Sequence, residues 1–211
     1  MPTPRYFEIE YPDLVLKANK LAEELGFPLL QHGTSTEHHG PSACIPQVGK
    51  LLQTLVAGKP NGLIGEIGTG AGVGTAWLAS GLIGNAKLIS VEIDAVYSEA
   101  ARKLFSEHPQ VEIRTGDWHD VLKIEEPFDL LFFDVAPHTD LEFANWDTMI
   151  QYLKIGGQIV LDDLTPIEQW PVEWETFVDA KREFALHNAH VIGTEIRTTP
   201  TTSAVILTRI K

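Results

Sequence analysis

The stretch that most limits what this chain can become is LIGEIGTGAGVGTAWLA, residues 63–79. The apolar residues Leu63, Ile64 and Ile67 suit a strand, glycine recurs at Gly68, Gly70, Gly72 and Gly74, and residues 75–79 suit a helix. The order predicts a strand, a tight turn and a helix. Glycines at alternate positions let the backbone come close to a ligand, and the following helix begins with unpaired N–H groups. A small polar ligand on this turn is the expectation.

The turn does not suit a pyrophosphate. A dinucleotide fingerprint needs G-x-G-x-x-G, and its sixth position is Val73 counted from Gly68 and Thr75 counted from Gly70. No G-K-[ST] follows, which removes a P-loop. The pattern is E-x-G-x-G-x-G, with Glu66 inside the strand, and a carboxylate aimed at a turn suits a cationic ligand. S-adenosylmethionine carries both a sulfonium and an ammonium.

The rest of the chain alternates strand and helix patterns. Helices are expected over residues 11–24, 45–57, 96–105, 141–153 and 172–184. Strands are expected over 87–92, 111–115, 128–134 and 158–161, and a terminal hairpin over 190–197 and 204–209. The expected architecture is an α/β three-layer Rossmann-like sandwich, a mostly parallel seven-stranded sheet with a C-terminal antiparallel hairpin. One domain over residues 1–211 is expected, with 1–60 as a helical entrance region and 61–211 as the cofactor-binding core.

Acids gather where the strands end. Glu92 closes the second strand, twenty positions beyond Gly72, where an acid accepts from ribose hydroxyls; Asp94 behind it reads as a helix cap. Asp117 and Trp118 follow the third strand, an acid and an aromatic that suit an adenine. Asp134 ends the fourth strand, and Asp162 and Asp163 end the fifth. Parallel strands put these ends on one edge, where open α/β sheets bind ligands.

Composition narrows the partners. Sixteen basic against 29 acidic residues give a net charge of −13, which disfavours nucleic acid. No run of 18 apolar residues predicts a membrane span, and no basic start followed by an apolar run predicts export. A single cysteine, Cys44, fits a reducing compartment, so a cytoplasmic location is expected. His32, His38 and His39 lie in a polar stretch that reads as an entrance loop; the adjacent pair diverges and has no third ligand at a familiar spacing.

Glu66 to Gly72, Glu92, FDLLFFD and GGQIVLDD, in that order, resemble a class I S-adenosylmethionine-dependent methyltransferase. Their spacing is similar to the catechol and caffeoyl-CoA O-methyltransferase branch. The resemblance implies O-methylation of a small-molecule hydroxyl. In such a family Glu66, Gly68, Gly70, Gly72, Gly74, Thr75, Glu92, Asp117, Trp118 and Asp134 border the cofactor. It also implies a divalent cation, usually magnesium, on Asp134, Asp162 and Asp163. Three positions depart from it: Asp163 stands where the family has Asn, Pro137 where it has a lysine, and Gly74 where it has a cofactor-binding serine, with Thr75 as the neighbouring hydroxyl. His138 is the candidate base in place of that lysine, with Asp134 beside it. Trp170 and Trp174 form either an acceptor wall or a loop anchor. Methylation of nitrogen or of a protein, and cofactor binding without transfer, stand as alternatives. A homodimer would use the N-terminal helices and the hairpin.

Overall fold

The computed structural model describes residues 9–29, 41–124, 126–134, 146–174 and 176–211. His32, His38, His39, Pro137 and His138 lie outside the described residues, as do most of the expected entrance loop and the loop after Asp134.

Seven strands form one sheet in the order β3-β2-β1-β4-β5-β7-β6. They are β1 Leu63–Ile67, β2 Lys87–Glu92, β3 Val111–Thr115, β4 Phe128–Phe133, β5 Leu153–Leu164, β6 Val191–Arg197 and β7 Ser203–Arg209. β1 to β5 pair in parallel, and β7 pairs antiparallel with both β5 and β6. The strand order reverses between β1 and β4, which makes a crevice at their carboxyl ends.

The described helices are α1 Asp13–Leu25, α2 Pro46–Ala57, α3 Val73–Ala79, α4 Ala95–Leu104, α5 Trp118–Val121, α6 Trp146–Gln151 and α7 Ala180–His187. Two apolar clusters show how they divide. Ile64, Leu88, Leu130, Phe132 and Val160 pack with Val15, Val48, Leu52, Trp77 and Ala101 of α1 to α4. Ile67, Ile89, Leu131, Ile159 and Leu161 pack with Met149, Ile150, Phe184 and Ala185 of α6 and α7. The period-2 alternation of β1, β4 and β5 sends neighbouring residues to opposite clusters, which makes a three-layer sandwich.

Three elements differ from the sequence expectation. The helix expected over 141–153 ends at Gln151, because Leu153, fully buried, already pairs with Phe128 as the first residue of β5. β5 runs twelve residues rather than the four of 158–161. Its Gly156-Gly157 pair does not stop it: Gly156, at φ +83°, absorbs a register shift opposite Phe128 and Leu130. The helix expected over 172–184 divides into a single 3₁₀ turn, Val172–Trp174, and α7. The second piece starts where Asp179 caps it, its side chain accepting from Lys181 N and Arg182 N.

α2 crosses α3 at Gly49. A Cβ built there would lie 2.3 Å from the indole of Trp77, which is 1% exposed. Helix propensity favours Ala over Gly by about 1 kcal/mol, whereas overpacking a buried ring costs about 1–3 kcal/mol. Gly49→Ala is therefore expected to destabilise the fold, lowering the melting temperature by roughly 2–6 °C in calorimetry. A variant as stable as the parent would contradict this packing.

Candidate active site

The site is built from β1 outward. Glu66 is fully buried, and its Oε2 accepts from Ser90 Oγ of β2 at 2.5 Å and from Thr75 Oγ1 of α3. Ser90 Oγ also meets Thr69 Oγ1 of the glycine turn at 2.5 Å. One carboxyl thus joins β1, β2 and α3, and through Ser90 the turn. Its other oxygen, Oε1, has no hydrogen-bond partner among the described residues. Burial pushes the Glu66 carboxyl up to about 8 against the opposing donations from Ser90 and Thr75, and the charge of Glu92 adds to the rise.

Gly74 belongs to the same arrangement. A Cβ at this position would lie 2.5 Å from Glu66 Oε1 and 3.3 Å from Phe132. A serine here would collide with the buried acid, so the departure at Gly74 follows from where Glu66 sits. Thr75, the neighbouring hydroxyl, is fully buried and donates to Glu66. Gly70, at φ +51°, lies under Phe27, whose ring a Cβ would meet at 2.8 Å. The segment after α1 therefore covers one side of the turn.

Glu92 is 8% exposed, and both its oxygens are held by backbone: Oε2 by Gly70 N at 2.7 Å and Oε1 by Asp94 N at 2.8 Å. A carboxylate accepts about four hydrogen bonds, so each oxygen keeps a lone pair for a further donor. Asp94 caps α4, accepting from Val96 N at 2.7 Å and Tyr97 N at 3.3 Å. Asp117 caps α5, accepting from His119 N at 2.9 Å and from its Nδ1 at 2.8 Å, which holds the Asp117 carboxyl below its usual range. Trp118 is half-buried; its ring lies 3.7 Å from that of His119 and meets Phe133 and Tyr152 edge-on.

Asp134 follows β4, with its N–H on Ile67 O at 2.9 Å, so the ends of the two switch-point strands are tied. Burial, then the charges of Asp163, Asp162 and Glu66, push its carboxyl well up; Lys181 opposes them. Asp162 is 4% exposed and is raised by burial and by Asp163. Asp163 is exposed, at φ +63°, a left-handed position that Asn and Asp tolerate better than other side chains. The three aspartates thus share one electrostatic neighbourhood. Among the described residues, however, no group of three His, Cys, Asp or Glu side chains is arranged to hold a metal ion. The donor set implied for magnesium is present in kind without the geometry that ligation needs.

Two members of this neighbourhood were not singled out in the sequence. Cys44 is buried just before α2, and its thiol is pushed up by burial and by Asp134, Asp162, Glu66 and Asp163. Lys181 of α7 donates to Asp162 O at 2.8 Å. Neither has a local signal, because Cys44 precedes α2 and Lys181 lies in α7, both distant in sequence from the strand ends. Trp170, by contrast, anchors its loop: its Nε1 donates to Thr165 O at 2.9 Å, and its ring contacts Trp174 and Phe177.

The Glu66 arrangement has a consequence for stability. Its pKa is about 8 in the folded protein against 4.5 for the ordinary side chain, so the native state holds the proton more tightly. The associated stabilisation is complete below pH 4.5 and is lost as pH rises to about 8, at up to roughly 1.4 kcal/mol per pH unit. Glu66→Gln, which mimics the neutral acid, is expected to flatten urea-unfolding stability between pH 6 and 8. An equal slope in both proteins would contradict a protonated Glu66.

Comparison with known proteins agrees with this geometry. Residues 66–164 match the model of a methyltransferase domain. A catechol O-methyltransferase of Niastella koreensis is 31% identical over 160 residues, 72% of this chain and 66% of that protein. Matches to the first curated relatives span about half to two thirds of their length. An O-methyltransferase of Bacillus cereus in complex with SAH superposes with a TM-score of 0.72 at 22% identity, covering 98% of this chain and 94% of that one. TomG of Streptomyces achromogenes, an O-methyltransferase of tomaymycin synthesis in complex with SAM, gives 0.71 at 21%, with the same coverage. At these identities the two structures establish the fold. The central span of this chain thus matches a methyltransferase domain, and its seven-stranded sheet is the fold these O-methyltransferase structures share.

Proposed function

We propose that this protein transfers the methyl group of S-adenosylmethionine to a hydroxyl of a small acceptor. The observation that carries the reading is the pairing of the glycine turn with Glu92, whose carboxylate is fastened to Gly70 N at the strand-order reversal. The Glu92 carboxylate beside that turn, with no P-loop lysine, suits a cationic ligand rather than a pyrophosphate. The O-methyltransferase names among the relatives favour oxygen as the acceptor atom.

In this reading the backbone of the glycine turn, residues 68–72, borders the methionine part, Glu92 accepts from the ribose hydroxyls, and Asp117 and Trp118 border the adenine. S-adenosylmethionine supplies, when bound, a methyl group activated by its positive sulfur. The chain supplies position: fixing the acceptor oxygen in line with that methyl removes most of the entropic barrier. Asp134, more basic than an ordinary aspartate, receives the hydroxyl proton as the C–O bond forms and the methyl–sulfur bond breaks. His138, the other candidate base, lies outside the described residues. Magnesium is given no step, because Asp134, Asp162 and Asp163 do not make a three-ligand group.

Titration calorimetry with S-adenosylmethionine tests the cofactor. The parent is expected to bind, and Glu92→Ala to bind about 10- to 100-fold more weakly, the cost of a lost hydrogen bond to a charged group. No heat at millimolar cofactor would end the proposal. With catechol as a probe acceptor, methyl transfer is expected to persist in excess EDTA. Its abolition by EDTA and recovery on adding magnesium would show that the aspartates close around an ion.

A further inference from the structure

One basic side chain enters the acidic edge, and it comes from the helix that follows β5. Asp179 caps α7, accepting from Lys181 N at 3.0 Å and Arg182 N at 3.2 Å. Lys181 and Arg182 are neighbours, about 100° apart around the helix axis, and leave in different directions.

Arg182 turns into the terminal hairpin and is 6% exposed. Its Nε and Nη2 each donate to the Glu195 carboxylate at 2.8 Å, Nη1 donates to Asp179 at 2.8 Å, and Nη2 also donates to Thr165 O at 2.7 Å. Glu195 in turn accepts from Ser203 Oγ at 2.5 Å. A planar guanidinium held at every nitrogen fixes both the position and the rotation of the helix start.

Lys181 takes the other direction. Its Nζ donates to Asp162 O at 2.8 Å, and among the described residues no carboxylate oxygen stands within 4 Å of it. The ammonium has three donors, so two remain, and its charge is not absorbed by one partner. It acts on Asp134 and Asp162 together, opposing the rise that burial and Asp163 cause.

We propose that the Lys181 ammonium is the resident cation of this acidic edge, aimed by the Arg182 anchor, occupying the role in its charge balance that a divalent ion would otherwise take. A chain carrying a net charge of −13 gains most from a fixed cation where three aspartates meet.

The test is manganese binding followed by electron paramagnetic resonance on the full chain, with no acceptor present. The parent is expected to bind weakly. Lys181→Met, which keeps the length and removes the charge, is expected to bind roughly tenfold more tightly, and Lys181→Arg to match the parent. If the methionine variant does not fold, Lys181→Gln takes its place. Unchanged affinity in the neutral variant, or an equal gain in Lys181→Arg, overturns the proposal. Calorimetry with S-adenosylmethionine on the same proteins separates the two claims. Loss of cofactor binding in the parent would remove the functional reading, whereas the manganese comparison alone decides the role of Lys181.

Discussion

A single buried carboxyl organises the carboxyl edge of this sheet. Glu66 sits in the central strand and takes hydroxyl donors from β2 and α3, and the same β2 hydroxyl reaches the glycine turn. Burying an acid without a cation is tolerable because it keeps its proton, and the proton is kept because burial makes the charged form costly. The geometry of the turn follows. Gly74, lacking a side chain, leaves space for the acid where it sits, and Thr75 is turned inward to bond it. Glu92, one strand away, then fastens the turn from the other side through Gly70 N.

Much of this edge was legible from residue order. Strand ends carrying Glu92, Asp134, Asp162 and Asp163, with the glycine turn between, required only that the strands be parallel, which the alternating pattern already implied. The extent of β5 was not legible, because Gly156-Gly157 reads as punctuation in one dimension and serves as a bulge in three. The division of the 172–184 segment was hidden for a similar reason: its apolar spacing is helical, while the Asp179 cap and the aromatic contacts of Trp174 and Phe177 set where a helix begins. The tie of the Thr75 hydroxyl to Glu66 was not legible, because nothing in residue order shows that this hydroxyl is buried. Lys181 was invisible, since nothing local distinguishes it from the exposed lysines of α1 and α4.

Electrostatics at the end of a parallel sheet therefore sets the character of this edge. One acid is neutralised by its own proton, another is held by backbone N–H groups, and Asp134 and Asp162 are raised by burial and by the charge of Asp163, beside a lysine from a distant helix. Each solution is different because each carboxyl has a different degree of burial and different neighbours. The fold shared with O-methyltransferase structures explains the scaffold, and the departures at Gly74 and Pro137 from the resembled family are where this chain's own chemistry has to be sought.

The most direct test of the central claim is a crystal structure of the protein soaked with S-adenosylhomocysteine. Ribose hydroxyls are expected within hydrogen-bond distance of Glu92, and the amino-acid portion over Gly68, Gly70 and Gly72. A ligand bound elsewhere, or a Glu92 carboxylate contacting only Gly70 N and Asp94 N, would contradict it.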